Sequence, residues 1–170
     1  MIRTRVGYAG GEKANPTYRD LGNHSEAIQI DFDPAVITYE DLLDLFWDSH
    51  NPTRPSWSPQ YASFVFAHDA EQERRAQASA AALGKEIATR IRPLDRFWRA
   101  EDYHQKYRLR NSGSVMEVLA PLYATDRDFV DSTVAARLSG LLAGYGRPDA
   151  LRLELRELEV PESILALIDR

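Results

Sequence analysis

The 170-residue chain contains no cysteine. That absence excludes disulfides, thiolate zinc sites and a cysteine nucleophile within these residues. Long apolar runs are missing too. Nothing approaches the roughly 18 apolar residues that a membrane helix needs, and Met1-Ile2-Arg3-Thr4-Arg5 carries charge with no apolar stretch behind it, unlike a secretory leader. The expected location is therefore cytoplasmic, with no membrane partner. Positive charge is also scarce: 21 Lys and Arg stand against 26 Asp and Glu, a formal net charge of -5. Such a balance argues against nucleic acid as a partner, because phosphates need neutralising. The basic residues are scattered, and Arg90, Arg92, Arg96 and Arg99 form the densest group. They read as a solvated face, with an anion site as the alternative. Four histidines are present (His24, His50, His68, His104), none paired at a metal spacing. No metal or cofactor is expected, and His24 and His104 read as structural hydrogen bonders.

What is present has the balance of a globular chain, with 44% hydrophobic and 28% charged residues. Arg3 to Tyr8 alternates weakly and runs into Ala9-Gly10-Gly11, a strand ending in a turn. The turn is not a phosphate loop, since no Lys with Ser or Thr follows at the required spacing. Residues 12–25 are polar and contain Asn15-Pro16, so they read as a loop. Ile28, Ile30 and Phe32 alternate with Gln29 and Asp31, the period of a half-buried strand. Thr38 stands three residues before Asp41, the start of a capping box. Leu42, Leu45 and Phe46 follow at helical spacing, and Pro52 limits the helix to about Ser49. Tyr61 to Phe66 reads as a strand, with Phe64 and Phe66 on one face. Asp69 is placed to cap a helix reaching about Leu83 and closed by Gly84. Ile87 to Leu94 is strand-like, and Glu101 to Arg110 reads as one short helix. Beyond Asn111 the pattern turns helical. One helix runs through Phe129 to Leu142, a second starts at Pro148, and a third starts near Pro161.

Several of these segments resemble one family. Gly7-Tyr8-Ala9-Gly10-Gly11 is followed by Asn15-Pro16-Thr17-Tyr18, then Gly22-Asn23-His24-Ser25-Glu26-Ala27 and Asp33-Pro34. The Tyr39 to His50 helix, Gln60-Tyr61 and Ala100-Glu101-Asp102-Tyr103-His104-Gln105 complete the series. In that order, over residues 3 to 111, they resemble the A-type peptide methionine sulfoxide reductases. The resemblance implies an α+β fold, a two-layer α/β sandwich with a ferredoxin-like core. That core would occupy 1–111 as an N-terminally incomplete version of the family's, and 112–170 would form a helical C-terminal extension packed on it.

The chemistry behind the resemblance is demanding. A thiolate attacks the sulfoxide sulfur, and the oxygen must be protonated as its charge develops. Hydroxyl donors can hold that oxygen, and an aromatic wall can receive the methyl group. The link between such a reductase and repair of one sulfoxide epimer is a known part of methionine redox chemistry. The resemblance makes Glu26 the acid, and Tyr18 and Tyr61 the two phenols that hold the oxygen. It places the nucleophile in a Gly-Cys-Phe-Trp motif upstream of Gly7, ahead of the first residue here. The Phe and Trp that wall the methyl pocket belong to the same motif. Thioredoxin or another thiol would be the reductant, and methionine S-sulfoxide, free or in proteins, the substrate. The segments Tyr18–Glu26 and His50–Tyr61 are shorter than in many members. The aspartate many of them carry in the second has no counterpart, while Trp57 offers an aromatic ring there. Read without the resemblance, Glu26 is a surface carboxylate at a strand start, Tyr18 a loop anchor and Tyr61 a strand aromatic. The cysteine-free chain is thus expected to be inactive by itself. A non-catalytic module binding sulfoxide or protein, or a degenerate remnant, is the alternative.

Overall fold

The computed structural model describes residues 1–168. The chain forms two compact units, one spanning Val6–Glu101 and the other joining Met1–Arg5 to the residues from Asp102 onward. The fold is α+β. Among the described residues no helix is long and apolar enough to cross a membrane.

Strand β1 (Arg3–Ala9), of which Val6–Ala9 belong to the first unit, is the middle strand of a three-stranded sheet, between β2 (Ser25–Asp31) and β5 (Phe97–Arg99). Gly7 lies opposite Arg99 and Ala9 opposite Phe97 in the antiparallel β1–β5 ladder. Gly7 has to be glycine: a Cβ there would sit 2.3 Å from the Trp98 carbonyl and 2.4 Å from the Phe97 ring. A second sheet pairs β3 (Phe64–Ala67) with β4 (Arg90–Pro93) in parallel, Phe64 opposite Arg90 and Phe66 opposite Arg92. A parallel pair needs a crossover, and helix α2 (Ala70–Ala82) supplies it.

The helices begin where their caps dictate. In α1 (Tyr39–Asp48) the Thr38 side chain accepts from the Asp41 amide at 3.1 Å, and the Asp41 carboxylate accepts from the Thr38 amide at 2.8 Å. Both orphan donors are thereby satisfied. Asp69 caps α2 by accepting from the Gln72 amide at 2.7 Å. Leu43 and Trp47 of α1 bury against Ala76 and Ala80 of α2, with Val65 and Ile91 of the second sheet packed alongside. Alanines let the helix approach closely, and the Trp47 indole N–H finds the Ser79 hydroxyl at 2.8 Å. Since Val65 and Ile91 face this core, alternation sends Phe64, Phe66, Arg90 and Arg92 to the other face.

The strand expected from Tyr61 begins only at Phe64. Pro59 lacks a ladder donor, and Pro59–Tyr61 instead forms a 3-10 turn in which the Tyr61 amide donates to the Ser58 carbonyl at 3.3 Å.

The second unit is helical: α3 (Tyr107–Arg110), α4 (Gly113–Leu119), α5 (Asp126–Val130), α6 (Thr133–Leu142), α7 (Pro148–Glu157) and α8 (Glu162–Leu165). The single helix read over Glu101–Arg110 is broken. Asp102–His104 is a 3-10 turn, and Lys106 takes a positive φ of 53°. Its ammonium is held by the Thr4 carbonyl at 2.9 Å and hydroxyl at 2.7 Å. The helix read through Phe129 to Leu142 is likewise two. The Ser132 hydroxyl caps α6 by accepting from Ala135, and the preceding Asp131 receives Arg5 at 2.6 Å. One cluster, including Leu109, Leu119, Val130, Leu155 and Ile164, forms the core of this unit.

Candidate functional site

The site residues named by the sequence come from three segments of Val6–Glu101, and local hydrogen bonds hold each segment in place. After β1 the chain turns at Gly10, whose φ of +80° favours glycine. His24 is 1% exposed and folds the loop back. Its Nδ1 accepts from the Gly11 amide at 3.1 Å, which leaves Nε2 to donate to the Lys13 carbonyl at 2.8 Å. Both ring nitrogens are therefore occupied by backbone. Thr17 and Asp20 exchange backbone hydrogen bonds, and Tyr18 stands inside that tight turn. The Tyr18 amide donates to Glu101 Oε1 at 3.0 Å, and the other oxygen of that carboxylate accepts from the buried Tyr8 hydroxyl at 2.7 Å. Glu101 thus anchors the Tyr18 turn to β1.

A second set of bonds ties the Pro59–Tyr61 turn to β2. The Ser25 hydroxyl donates to the Pro59 carbonyl at 2.5 Å, and the Gln60 side-chain Nε2 donates to Glu26 Oε1 at 2.7 Å. Glu26 is exposed in β2, Tyr18 is 43% exposed and Tyr61 is 45% exposed. The Tyr61 phenol is held above the ordinary tyrosine value. Desolvation is the main cause, followed by the charges that Tyr18 and Glu26 can carry, and then by a hydrogen bond with the Tyr18 side chain. The structure therefore gathers Tyr18, Glu26 and Tyr61 into one polar cluster. Trp57, the aromatic ring suggested by the loop, packs against Tyr61 with ring centroids 5.2 Å apart.

Beside the cluster lies a hollow of about 320 Å3. Glu26 is on its wall, with Ile28 and Ile30 of β2, Phe64 of β3, and Leu42 and Phe46 of α1. An apolar hollow with a few convergent polar groups is the usual form of a small-ligand site. Two phenols can donate hydrogen bonds to a polar atom and a carboxylate can accept them, while the hollow can take an alkyl group.

The family model described as "Peptide methionine sulfoxide reductase" matches residues 1–134. The chain belongs to the peptide methionine sulfoxide reductase family. Among curated relatives, the "Peptide methionine sulfoxide reductase" of Drosophila melanogaster is 40% identical over 161 residues, covering 91% of this chain and 64% of that protein. The "Peptide methionine sulfoxide reductase A5" of Oryza sativa subsp. japonica is 36% identical, over 88% of this chain and 62% of that protein. The chain thus spans a little under two thirds of the length of these relatives. Among solved structures, the reduced form of Mxr1 from Saccharomyces cerevisiae superposes with a TM-score of 0.60 at 30% identity, over 65% of this chain and 71% of that one. Methionine sulfoxide reductase A of Corynebacterium diphtheriae gives 0.57 at 31% identity, over 64% of this chain and 63% of that one.

Within this member of the reductase family, two residues were given no role by the sequence. Gln60 and Glu101 lie inside motif pieces, yet only the fold shows what they hold. Gln60 touches Glu26 directly, and Glu101 fixes the backbone of Tyr18. Their position beside Tyr61 and inside Ala100-Glu101-Asp102 was the available signal.

Proposed function

We propose that Val6–Glu101 is the sulfoxide-holding part of a methionine S-sulfoxide reductase. The observation carrying this is the grouping of Tyr61 with Tyr18 and Glu26, the last of which also lines an apolar hollow. In this reading the substrate methyl group enters the hollow. Its oxygen accepts hydrogen bonds from the Tyr18 and Tyr61 hydroxyls, and Glu26 in its acid form gives the proton. A thiolate forms a bond to the sulfoxide sulfur while the sulfur–oxygen bond breaks and the protonated oxygen leaves as water; water then adds to the former thiolate sulfur, the sulfur–sulfur bond breaks and a proton is lost. The products are methionine and a sulfenic acid, which a second thiol converts to a disulfide and water. Thioredoxin is the expected thiol donor, and repair of oxidised proteins in the cytoplasm is the expected setting.

The 170 residues hold no thiol, so by themselves they bind the sulfoxide and do not reduce it. Assaying methionine S-sulfoxide reduction with dithiothreitol should give the rate of the protein-free blank; a faster rate would overturn this expectation. Binding is tested separately by calorimetry with a blocked S-sulfoxide peptide. Weak binding is expected at millimolar peptide, lost in Tyr61→Phe and absent for the R-epimer. No heat from either epimer, or equal binding of both, would refute the assignment. The same absence of cysteine favours a second reading, a non-catalytic sulfoxide-binding module. Supplying a thiol-bearing segment in trans separates the two, since only a reductase scaffold would then turn over.

A further inference from the structure

A second, larger hollow of about 640 Å3 shares Ala62, Ser63 and Phe64 with the first. Ser25, Trp57 and Pro59 line it, so its wall adjoins Glu26 and Tyr61 along the chain. Three charged side chains reach it: Arg54 from the loop after α1, and Arg90 and Arg92 from β4. No Asp or Glu is among its lining residues, although the chain as a whole is acidic at -5. The two β4 arginines are two residues apart on one strand face, and both guanidinium groups stand over the Phe64 ring, at 5.6 and 5.5 Å from its centroid. Stacking on a ring orients a guanidinium and leaves its N–H fork free for an anion. Among the described residues none of the three arginines forms an ion pair. Elsewhere in the same unit arginines are matched, Arg74 with Glu71 at 2.6 Å and Arg75 with Glu40. The remaining polar lining, including Ser56, Ser58 and Ser63, is neutral.

We infer that this arginine-lined hollow binds acidic side chains of a peptide, flanking the residue held at Tyr18, Glu26 and Tyr61. The inference deepens the proposed function by naming a substrate class, peptides with Asp or Glu beside the oxidised methionine. It rests on that proposal for the central residue and not for the acidic flank. Charge complementarity decides the occupant. A neutral or basic peptide would leave three like charges facing one another, whereas carboxylates accept bidentate hydrogen bonds from guanidinium groups.

The test uses the whole chain and four blocked peptides in calorimetric titration. One has S-methionine sulfoxide between aspartates, the second has it between asparagines, the third between lysines, and the fourth has plain methionine between aspartates. The acidic sulfoxide peptide should bind tighter than the asparagine one, and the lysine one weakest. The advantage should fall about threefold for each arginine removed in Arg54→Gln, Arg90→Gln and Arg92→Gln. It should also shrink towards nothing near 1 M salt, where screening acts within about 3 Å. The plain-methionine acidic peptide should bind as well, with the same salt dependence. Equal binding of aspartate, asparagine and lysine peptides to the unaltered chain overturns the inference without recourse to any variant, as does failure of the plain acidic peptide to bind. Binding of both acidic peptides alike, with none of the asparagine peptide, would sustain the arginine hollow while refuting the sulfoxide assignment. The converse pattern would do the reverse.

Discussion

The helical unit gathers its buried apolar side chains into one cluster, whereas Val6–Glu101 divides its own between a patch around Leu43 and Trp47 and a smaller one around Tyr8 and Leu21. In the first case residues such as Leu119, Leu155 and Ile164 are fully enclosed. In the second, apolar residues of two strands and a helix, among them Ile28, Phe46 and Phe64, are only partly covered and surround a hollow. Apolar surface that one unit closes by packing stays partly open in the other. The polar bonds of His24, Ser25 and Glu101 then hold in place what packing alone does not.

Truncating one core leucine in each unit gives the largest test of this contrast. Leu155→Ala should cost towards the upper end of the roughly 2–5 kcal/mol range for enclosed leucines, read by chemical denaturation. Leu43→Ala should fall near the lower end, because side chains bordering a hollow can relax into the gap. Equal losses would remove the distinction. Next in size is Tyr8→Phe, which deletes a donor to a carboxylate and should cost about 1–2 kcal/mol. It should also shift the Tyr18 amide resonance, since Glu101 connects the two; an unmoved resonance would show that the turn is held by other means.

Thr38→Ala removes the α1 cap and should cost about 1 kcal/mol at neutral pH. Hydrogen bonds from the Thr38 side chain and then its amide hold the Asp41 carboxyl below the ordinary value. A depressed carboxyl contributes stability that is complete above its unfolded value and is lost as pH falls through the folded one. The gap between wild type and variant should therefore narrow as pH drops below about 4, and a gap constant down to acid unfolding would contradict this. The smallest effect is spectroscopic. Tyr61 should ionise above an ordinary tyrosine in an ultraviolet or NMR titration. In Tyr18→Phe its value should fall back, with desolvation sustaining the rest.

Much of this was legible in the sequence where a local rule acts alone. The Thr38–Asp41 box, the Asp69 cap and Pro148 at the first turn of α7 each place a helix start from two or three residues. The family and its α+β class were legible in the ordered motif pieces. Boundaries failed where distant partners decide. Lys106 breaks a helix because Thr4, about a hundred residues earlier, holds its ammonium. Likewise Tyr61 leaves its strand for a turn that is fastened to Ser25 and Glu26. Gln60 and Glu101 had no readable role for the same reason. The arginines read as a solvated face are exposed at 90, 92 and 96, but their neighbours differ: Arg90 and Arg92 line a hollow, and Arg96 lies over the Trp98 ring at 3.8 Å. Strand pairing, which sequence spacing does not fix, decides that outcome.

The carboxylate of Glu101 reaches residues 93 and 83 positions earlier in the chain. During synthesis from the ribosome, the turn bearing Tyr18 emerges long before its anchor exists. Closing so wide a span carries an entropic penalty that local helices such as α2 escape. The Tyr18 turn is therefore expected to settle late in the folding of its unit. A nascent chain arrested before residue 101 would carry Tyr18 on an untethered segment, with hydrogen exchange at its amide to report it.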